Sequence, residues 1–338
     1  MGNRSSMAVC VCVLAAACGG SSGSGPGPVA PPPPAPPAST WSIAGIVTDA
    51  VTGQGIAEAT LTFTGFPSTT SDGSGRWQLQ GTGVSPHLTV LTPTITAPGF
   101  VTRETRVEWK AGGRTDVALT LLPERAPFSL DFYRMLVRNG LEEPSALEPV
   151  RRWSVNPNFY LNAHNPRTNS KLTASEVEDV EQTIREVVPQ LTGGILSAGT
   201  IEVGVNAREQ RAGWINIDIV YEPDEDYCGR AFVGANPGLI TLNYDRCRTS
   251  WCREGLSRNV IAHEVGHAMG FWHTPDGVMV STFDDCNGTT FTEEERVHAR
   301  LAYLRPNGNR DVDTDPATFL AFTLENSPQV ICSRRPRR

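Results

Sequence analysis

His263-Glu264-Val265-Gly266-His267-Ala268-Met269-Gly270-Phe271-Trp272-His273 gathers three of the chain's six histidines into one short segment. Each helical residue turns about 100°, so His263 and His267 stand about 40° apart on one face, one turn from each other. Two imidazoles so placed can reach one ion. Glu264 leans over the same face, where a carboxylate can take a proton from water. Gly270 lets the chain leave the helix at positive φ, and the reversed chain then brings His273 to the same point. Three histidines leave a fourth tetrahedral position open, which is the donor set of a catalytic zinc site and not of a structural one. By composition, a string with this full spacing arises in on the order of one chain in 10⁵. The flanking Val260-Ile261-Ala262 and the internal Ala268-Met269 are apolar, so the helix is expected to be buried.

After His273 comes Thr274-Pro275-Asp276-Gly277-Val278-Met279, strong turn chemistry ending in a methionine. String and turn together resemble the metzincin zinc peptidases. The short gap, and Thr274 directly after the third histidine, are most similar to the matrixin side of that clan. Astacin-like and serralysin-like members carry a Tyr two residues after the Met as a further ligand; position 281 is Ser here. The resemblance implies an α+β metzincin-like catalytic domain, a twisted mixed sheet with helices. It implies one catalytic Zn2+ on His263, His267 and His273, a protein or peptide substrate, and Met279 as an apolar floor under the ligands. Zinc would acidify its water and Glu264 would carry the proton to the leaving amine. The strand Gly238–Asn243 is expected to be the sheet edge above the cleft, with Leu239, Ile240, Thr241 and Leu242 pairing to an extended substrate by strand addition. The alternative is a plain interior strand. Two rival functions stay open: a non-catalytic surface-binding lipoprotein, and a zinc hydrolase of a non-protein amide such as cell-wall peptide. An intact Glu264 speaks against the first.

Working outward, residues 124–338 read as the catalytic domain. A short helix is expected over 131–139, stopped by Gly140. A strand follows over 153–161, near an edge because Pro157 lies within it. The best helix runs over 173–190, opened by a Thr173/Glu176 capping box, with Val177, Val180, Ile184, Val187, Val188 and Leu191 in one stripe. Strands are expected at 200–205 and 214–221. A second capping box, Thr292 with Glu295, opens a helix to about Leu304. His298 on that helix reads as a surface or packing residue. The loop 280–290 is placed to shape the pocket for the side chain after the scissile bond. Asp311, Asp313 and Asp315 alternate as in a calcium loop. Pro316 replaces the needed Gly and no Glu closes the loop, so a solvated acidic tail is expected and calcium is not.

Residues 41–122 carry short, β-branched, alternating segments around Ile43–Val47, Ala59–Phe63, Gly75–Leu79, His87–Leu91 and Asp116–Leu121, separated by Gly and Asp turns. This reads as an all-β sandwich. Gly45-x-Val47-x-Asp49, Thr52-Gly53, Ile56-x-x-Ala59 and Thr70-Ser71-Asp72-Gly73-x-Gly75 resemble carboxypeptidase regulatory-like domains, which implies a transthyretin-like sandwich.

The amino-terminal segment reads as targeting. Arg4 precedes an apolar run from Met7 to Ala17, then Ala15-Ala16-Ala17-Cys18-Gly19. This resembles a bacterial lipoprotein signal over 1–18, with Cys18 as the lipid-bearing residue and Gly19 suggesting outer-membrane sorting; plain secretion is the alternative. Residues 19–40, Gly/Ser-rich and then Pro-rich, read as a tether. The 338 residues carry a formal charge of −7, no basic tract for nucleic acid and no apolar run of transmembrane length; the five residues 334–338 read as a solvated end. Beyond the signal, Cys228, Cys247, Cys252, Cys286 and Cys332 suit disulfides in an oxidising compartment. Cys228–Cys247 and Cys252–Cys286 are the expected pairs.

Overall fold

The computed structural model describes residues 40–82, 90–108, 114–225, 227–244, 256–281, 288–317 and 329–333. The expectations for Cys18 and the tether, for His87, for Cys247, Cys252 and Cys286, and for 334–338 lie outside the described residues. No described helix is long and apolar enough to cross a membrane.

The first lobe holds β1 (Thr40–Asp49), β2 (Thr60–Phe63), β3 (Thr69–Thr70), β4 (Arg76–Thr82), β5 (Val90–Leu91), β6 (Pro93–Thr96), β7 (Arg103–Glu104), β8 (Val107–Glu108) and β9 (Arg114–Leu121). β4-β1-β9 form one sheet, β3-β2-β6-β7 another, and β5 pairs with β8. Alternation along the strands sends Trp77 and Leu79 inward and Gln78 outward. Ile43, Val47, Leu61, Phe63, Ile95, Leu119 and Leu121 complete the core between the sheets. Among the described residues the five strand segments read from the sequence are represented by β1, β2, β4, β5 and β9, and β3, β6, β7 and β8 are added; strands this short carry too little periodicity to be read.

The second lobe holds α1 (Leu130–Arg138), β10 (Asn158–Asn162), β11 (His164–Asn165), β12 (Ser170–Lys171), α2 (Ala174–Thr192), β13 (Ile201–Gly204), β14 (Trp214–Val220), β15 (Tyr227–Phe232), β16 (Gly238–Asn243), α3 (Arg258–Ala268), α4 (Glu293–Tyr303) and β17 (Gln329–Ser333). A six-stranded sheet runs β13-β10-β14-β16-β15-β17. The first four are parallel, and β14 buries Ile215, Ile217 and Ile219 along one face while Asn216 and Asp218 lie on the other. Both capping boxes form: Thr173 with Glu176 opens α2 and Thr292 with Glu295 opens α4.

Two expectations about edges are corrected. β10 is interior, between β13 and β14; Pro157 precedes its first residue, so the missing N–H removes no ladder bond. Gly238–Asn243 is also interior, parallel to β14 and antiparallel to β15. Leu239, Ile240, Thr241 and Leu242 therefore offer no open edge. The short connection between β15 and β16 forces an antiparallel neighbour, and this places β15 on the outside of β16, against α3. β17 then pairs antiparallel with the outer side of β15.

The expected acidic tail is also corrected, because its carboxylates are drawn into a charge network between the lobes. Arg305 grips Asp313 with two bonds, Nε–Oδ1 2.7 Å and Nη2–Oδ2 2.8 Å, and both side chains are fully buried. The same guanidinium donates to Thr120 Oγ1 in β9 at 2.7 Å. Arg103 of β7 pairs with Asp315 at 2.9 Å and donates to the Thr120 carbonyl. Asn309 donates to Asp313 and Asp315 and accepts from Arg138 of α1. Glu104 N–H donates to Asp313 O and Asp315 N–H to Glu104 O, two strand-like bonds across the lobes. Ala50, Val101 and Leu122 of the first lobe join the apolar core of the second.

His298 is a packing residue, buried and ring to ring with Phe128 and Phe132 at 5.3 and 4.9 Å. Its Nδ1–H donates to Glu294 O and its Nε2 accepts from Ser129 N–H, the residue that caps α1.

Two outcomes are expected. Asp313→Ala leaves Arg305 buried and uncompensated and lowers stability by about 3–5 kcal/mol, whereas Arg305→Met with Asp313→Leu loses less; urea unfolding of the three variants checks this. Burial holds the His298 pKa below that of an ordinary histidine. The unfolded chain therefore takes up the extra proton, and the His298 contribution is complete above about pH 6.5 and lost as pH falls below it. Between pH 7 and 5, His298→Gln should lessen the fall in stability by up to about 1.4 kcal/mol per pH unit.

Candidate metal centre

α3 is buried nearly all round, residues Asn259 to Ala268 without exception, although it carries Asn259, His263, Glu264 and His267. It packs against β15, β16 and α2, so it runs through the core and not over it. Burying His263, Glu264 and His267 on such a helix is costly unless something compensates. Its carboxyl end is closed by side chains from elsewhere: Trp153 Nε1–H donates to Ala268 O at 2.9 Å and the Tyr303 hydroxyl to Met269 O at 2.9 Å. Gly270 follows with φ +111°, and a Cβ there would lie 1.8 Å from the Arg151 carbonyl. The glycine is thus required by positive φ, as expected, and also by a backbone crossing that the sequence does not announce.

The chain then returns His273 to the helix face. The three imidazole centroids lie 4.5, 5.2 and 4.8 Å apart, and one nitrogen from each falls within 4.8 Å of the others. His263 Nδ1 faces the Val278 carbonyl at 2.8 Å and His267 Nδ1 the Phe271 carbonyl at 2.7 Å. A carbonyl only accepts, so both Nδ1 atoms carry the proton and both Nε2 atoms are bare lone pairs. Those two lone pairs face each other at 2.9 Å with no proton between them. His273 Nδ1 is held by the Glu142 carboxylate, and its Nε2 is buried without a partner among the described residues. Three buried lone pairs on a common point repel unless a cation sits among them. Tetrahedral zinc, about 2.0–2.1 Å from each nitrogen, would space them by roughly 3.3 Å. The donor set fits a borderline-soft divalent ion.

Burial, with mutual repulsion among the rings, pushes His263 down to about 3 and His267 well below the usual histidine range. The bare nitrogens are therefore ready for a metal at neutral pH. Glu264 is fully buried and neither carboxylate oxygen has a partner among the described residues. Burial, with Cys228 adding to it, holds its carboxyl well above the ordinary range. A group so placed is a candidate proton carrier.

Met279 lies against α3 at Gly266. A Cβ on Gly266 would fall 2.4 Å from its sulfur, so that glycine makes room for the methionine between the two helical ligands. The turn closes with Thr274 N–H donating to Met279 O, and Met279 N–H donates to Glu295 Oε1. Ser281 stands two residues on. Leu239–Leu242 are not part of this assembly; the strand beside the site is β15, whose Gly229 would put a Cβ 2.7 Å from Glu264 Oε1.

Sequence reasoning missed Glu142, Gly229 and the second task of Glu295. Glu295 is visible as a capping residue, and its reach to Met279 follows only from how α4 docks. Glu142 and Gly229 carry no local signal, because both act across long stretches of chain.

Residues 243–329, about a quarter of the chain, match a family model named Metallopep and described as "Putative peptidase family". The chain matches no curated protein. Among solved structures it is similar, at low level, to a mutant type II cohesin–X-dockerin complex from Acetivibrio cellulolyticus (16% identity, 24% of this chain and 57% of that one, TM-score 0.19). A DUF3823 family protein from Parabacteroides merdae gives 18% identity, 25% and 47% coverage and TM-score 0.20. The Bacillus anthracis TIE protein gives 8%, 58% and 39%, with TM-score 0.21. The chain spans less than two thirds of each of these structures. The family match, falling on the segment that carries the three histidines and Glu264, supports a metal-dependent, peptidase-type function.

Proposed function

We propose that this chain is a zinc-dependent endopeptidase of the metzincin, matrixin-like kind, preceded by a carboxypeptidase regulatory-like β-sandwich. The observation that carries the reading is the convergence of three bare Nε2 lone pairs beside a buried Glu264 whose carboxylate has no partner among the described residues. Zinc, when bound, would supply Lewis acidity, acidifying water and polarising the scissile carbonyl. Glu264 takes the proton from the attacking water and passes it to the leaving amine, its carboxylate oxygens having no other partner among the described residues. His263, His267 and His273 stay oriented throughout, because each Nδ1–H is engaged by an acceptor on the far side of its ring. Met279 takes no part in proton transfer; it fills the space under the helical ligands. The resemblance of residues 1–18 to a lipoprotein signal, with Cys18 as the lipid-bearing residue, supports an enzyme working outside the cytoplasm, anchored at the outer membrane or, alternatively, secreted.

Casein or a peptide library is the assay. Glu264→Ala should lower turnover by about 10²–10⁴-fold while keeping its zinc, and a chelator should abolish cleavage in the wild type. Undiminished cleavage in the Ala variant would sink the mechanism. Gly229→Ala pushes a methyl into the Glu264 carboxylate. It is expected to cost about 10²-fold in kcat at unchanged zinc content, since a shift of an ångström at a reacting group has that effect.

A further inference from the structure

His273 differs from the other two ligands in how it is held. His263 and His267 lie on α3, and each donates its Nδ1–H to a backbone carbonyl that the fold fixes. His273 lies past Gly270 in non-helical chain, so no helix sets its ring. Its Nδ1–H goes to a carboxylate, Glu142, from a segment far away in sequence.

That segment is itself fixed. α1 ends at Asn139 in the left-handed conformation, φ 58°. Gly140 N–H donates to Arg134 O at 2.8 Å and Glu143 N–H to Asn139 O at 2.9 Å. The last turn of α1 is also tied to the ligand loop, because Trp272 N–H, adjacent to His273, donates to Leu136 O at 2.7 Å. Two contacts thus join the end of α1 to the third ligand, one to its backbone neighbour and one to its ring.

We propose that Glu142 is a positioning residue for the metal centre: its carboxylate holds His273 as the Nδ1–H tautomer, aims Nε2 at the ion and makes that nitrogen a stronger donor. The proposal rests on the three histidines being metal ligands. The physical basis is general, since an acceptor on the distal nitrogen of a ligating imidazole fixes tautomer and ring angle, and a charged acceptor raises basicity as well. Glu142 acts through the His273 ring, and it is 43% exposed, so its removal leaves no buried cavity.

The test is zinc affinity, measured on the full chain by competition with a chromophoric chelator, for the wild type, Glu142→Ala, Glu142→Gln and a neighbouring control, Glu143→Ala. Glu142→Ala should weaken zinc binding about 10–100-fold. Glu142→Gln should lose less, because an amide oxygen still accepts the Nδ1–H but carries no charge. Glu143→Ala should match the wild type. The visible d–d spectrum of the Co2+-substituted protein should shift in both Glu142 variants, while the urea midpoint of the metal-free protein stays put. Wild-type affinity and an unshifted Co2+ spectrum in Glu142→Ala overturn the proposal. So does an equal loss in Glu143→Ala, which would indicate a diffuse field and not a specific contact, and so does a fall in metal-free stability that both Glu142 variants share. A wild type that takes up no zinc overturns the metal reading itself as well.

Discussion

Everything at the centre of this molecule follows from where three Nδ1–H groups go. Each finds an acceptor on the far side of its ring, Val278 O, Phe271 O or Glu142, and each ring therefore turns its bare nitrogen inward. A lone pair can be aimed this way only if the acceptor is rigid. The acceptors come from the turn ahead of Met279, from the chain just past Gly270 and from the end of α1, so three separate parts of the lobe must be in place before the nitrogens converge.

The supporting architecture meets that need by burial. α3 passes through the core, and its polar residues have no water to fall back on. Its neighbours take up several of its other polar groups: Asn259 Nδ2–H donates to Gly288 O, and the Ala268 and Met269 carbonyls accept from Trp153 and Tyr303. Gly266, Gly229 and Gly270 each mark a point where another part of the chain comes closer than a Cβ would permit: the Met279 sulfur, the Glu264 carboxylate and the Arg151 carbonyl. Packing this close fixes the site geometry without adding a polar contact.

The sequence made the centre of this plan legible and its periphery much less so. The histidine spacing, Glu264, the turn to Met279 and both capping boxes are local patterns, set within a few residues by helical periodicity and turn chemistry. Strand order is not local. Nothing in Leu239-Ile240-Thr241-Leu242 says that β15 folds back outside it, since an interior and an edge strand can carry the same apolar run. The alternating aspartates misled for a related reason. Asp313 and Asp315 read as solvated because their partners, Arg305, Arg103 and Thr120, come from elements whose meeting no spacing announces. Glu142 was invisible because one acid in an exposed stretch looks like any other.

The same charge network bears on how the two lobes behave together. A boundary near residue 122 suggests beads on a string, with a joint between them. Instead a fully buried Arg305–Asp313 pair, the backbone bonds at Glu104 and a shared apolar seam close that joint. The sandwich is a fixed bracket, not a swinging arm. A restraint applied where β1 begins, at Thr40, would reach the metal centre without slack, so the orientation of that centre is set by how that end of the first lobe is held.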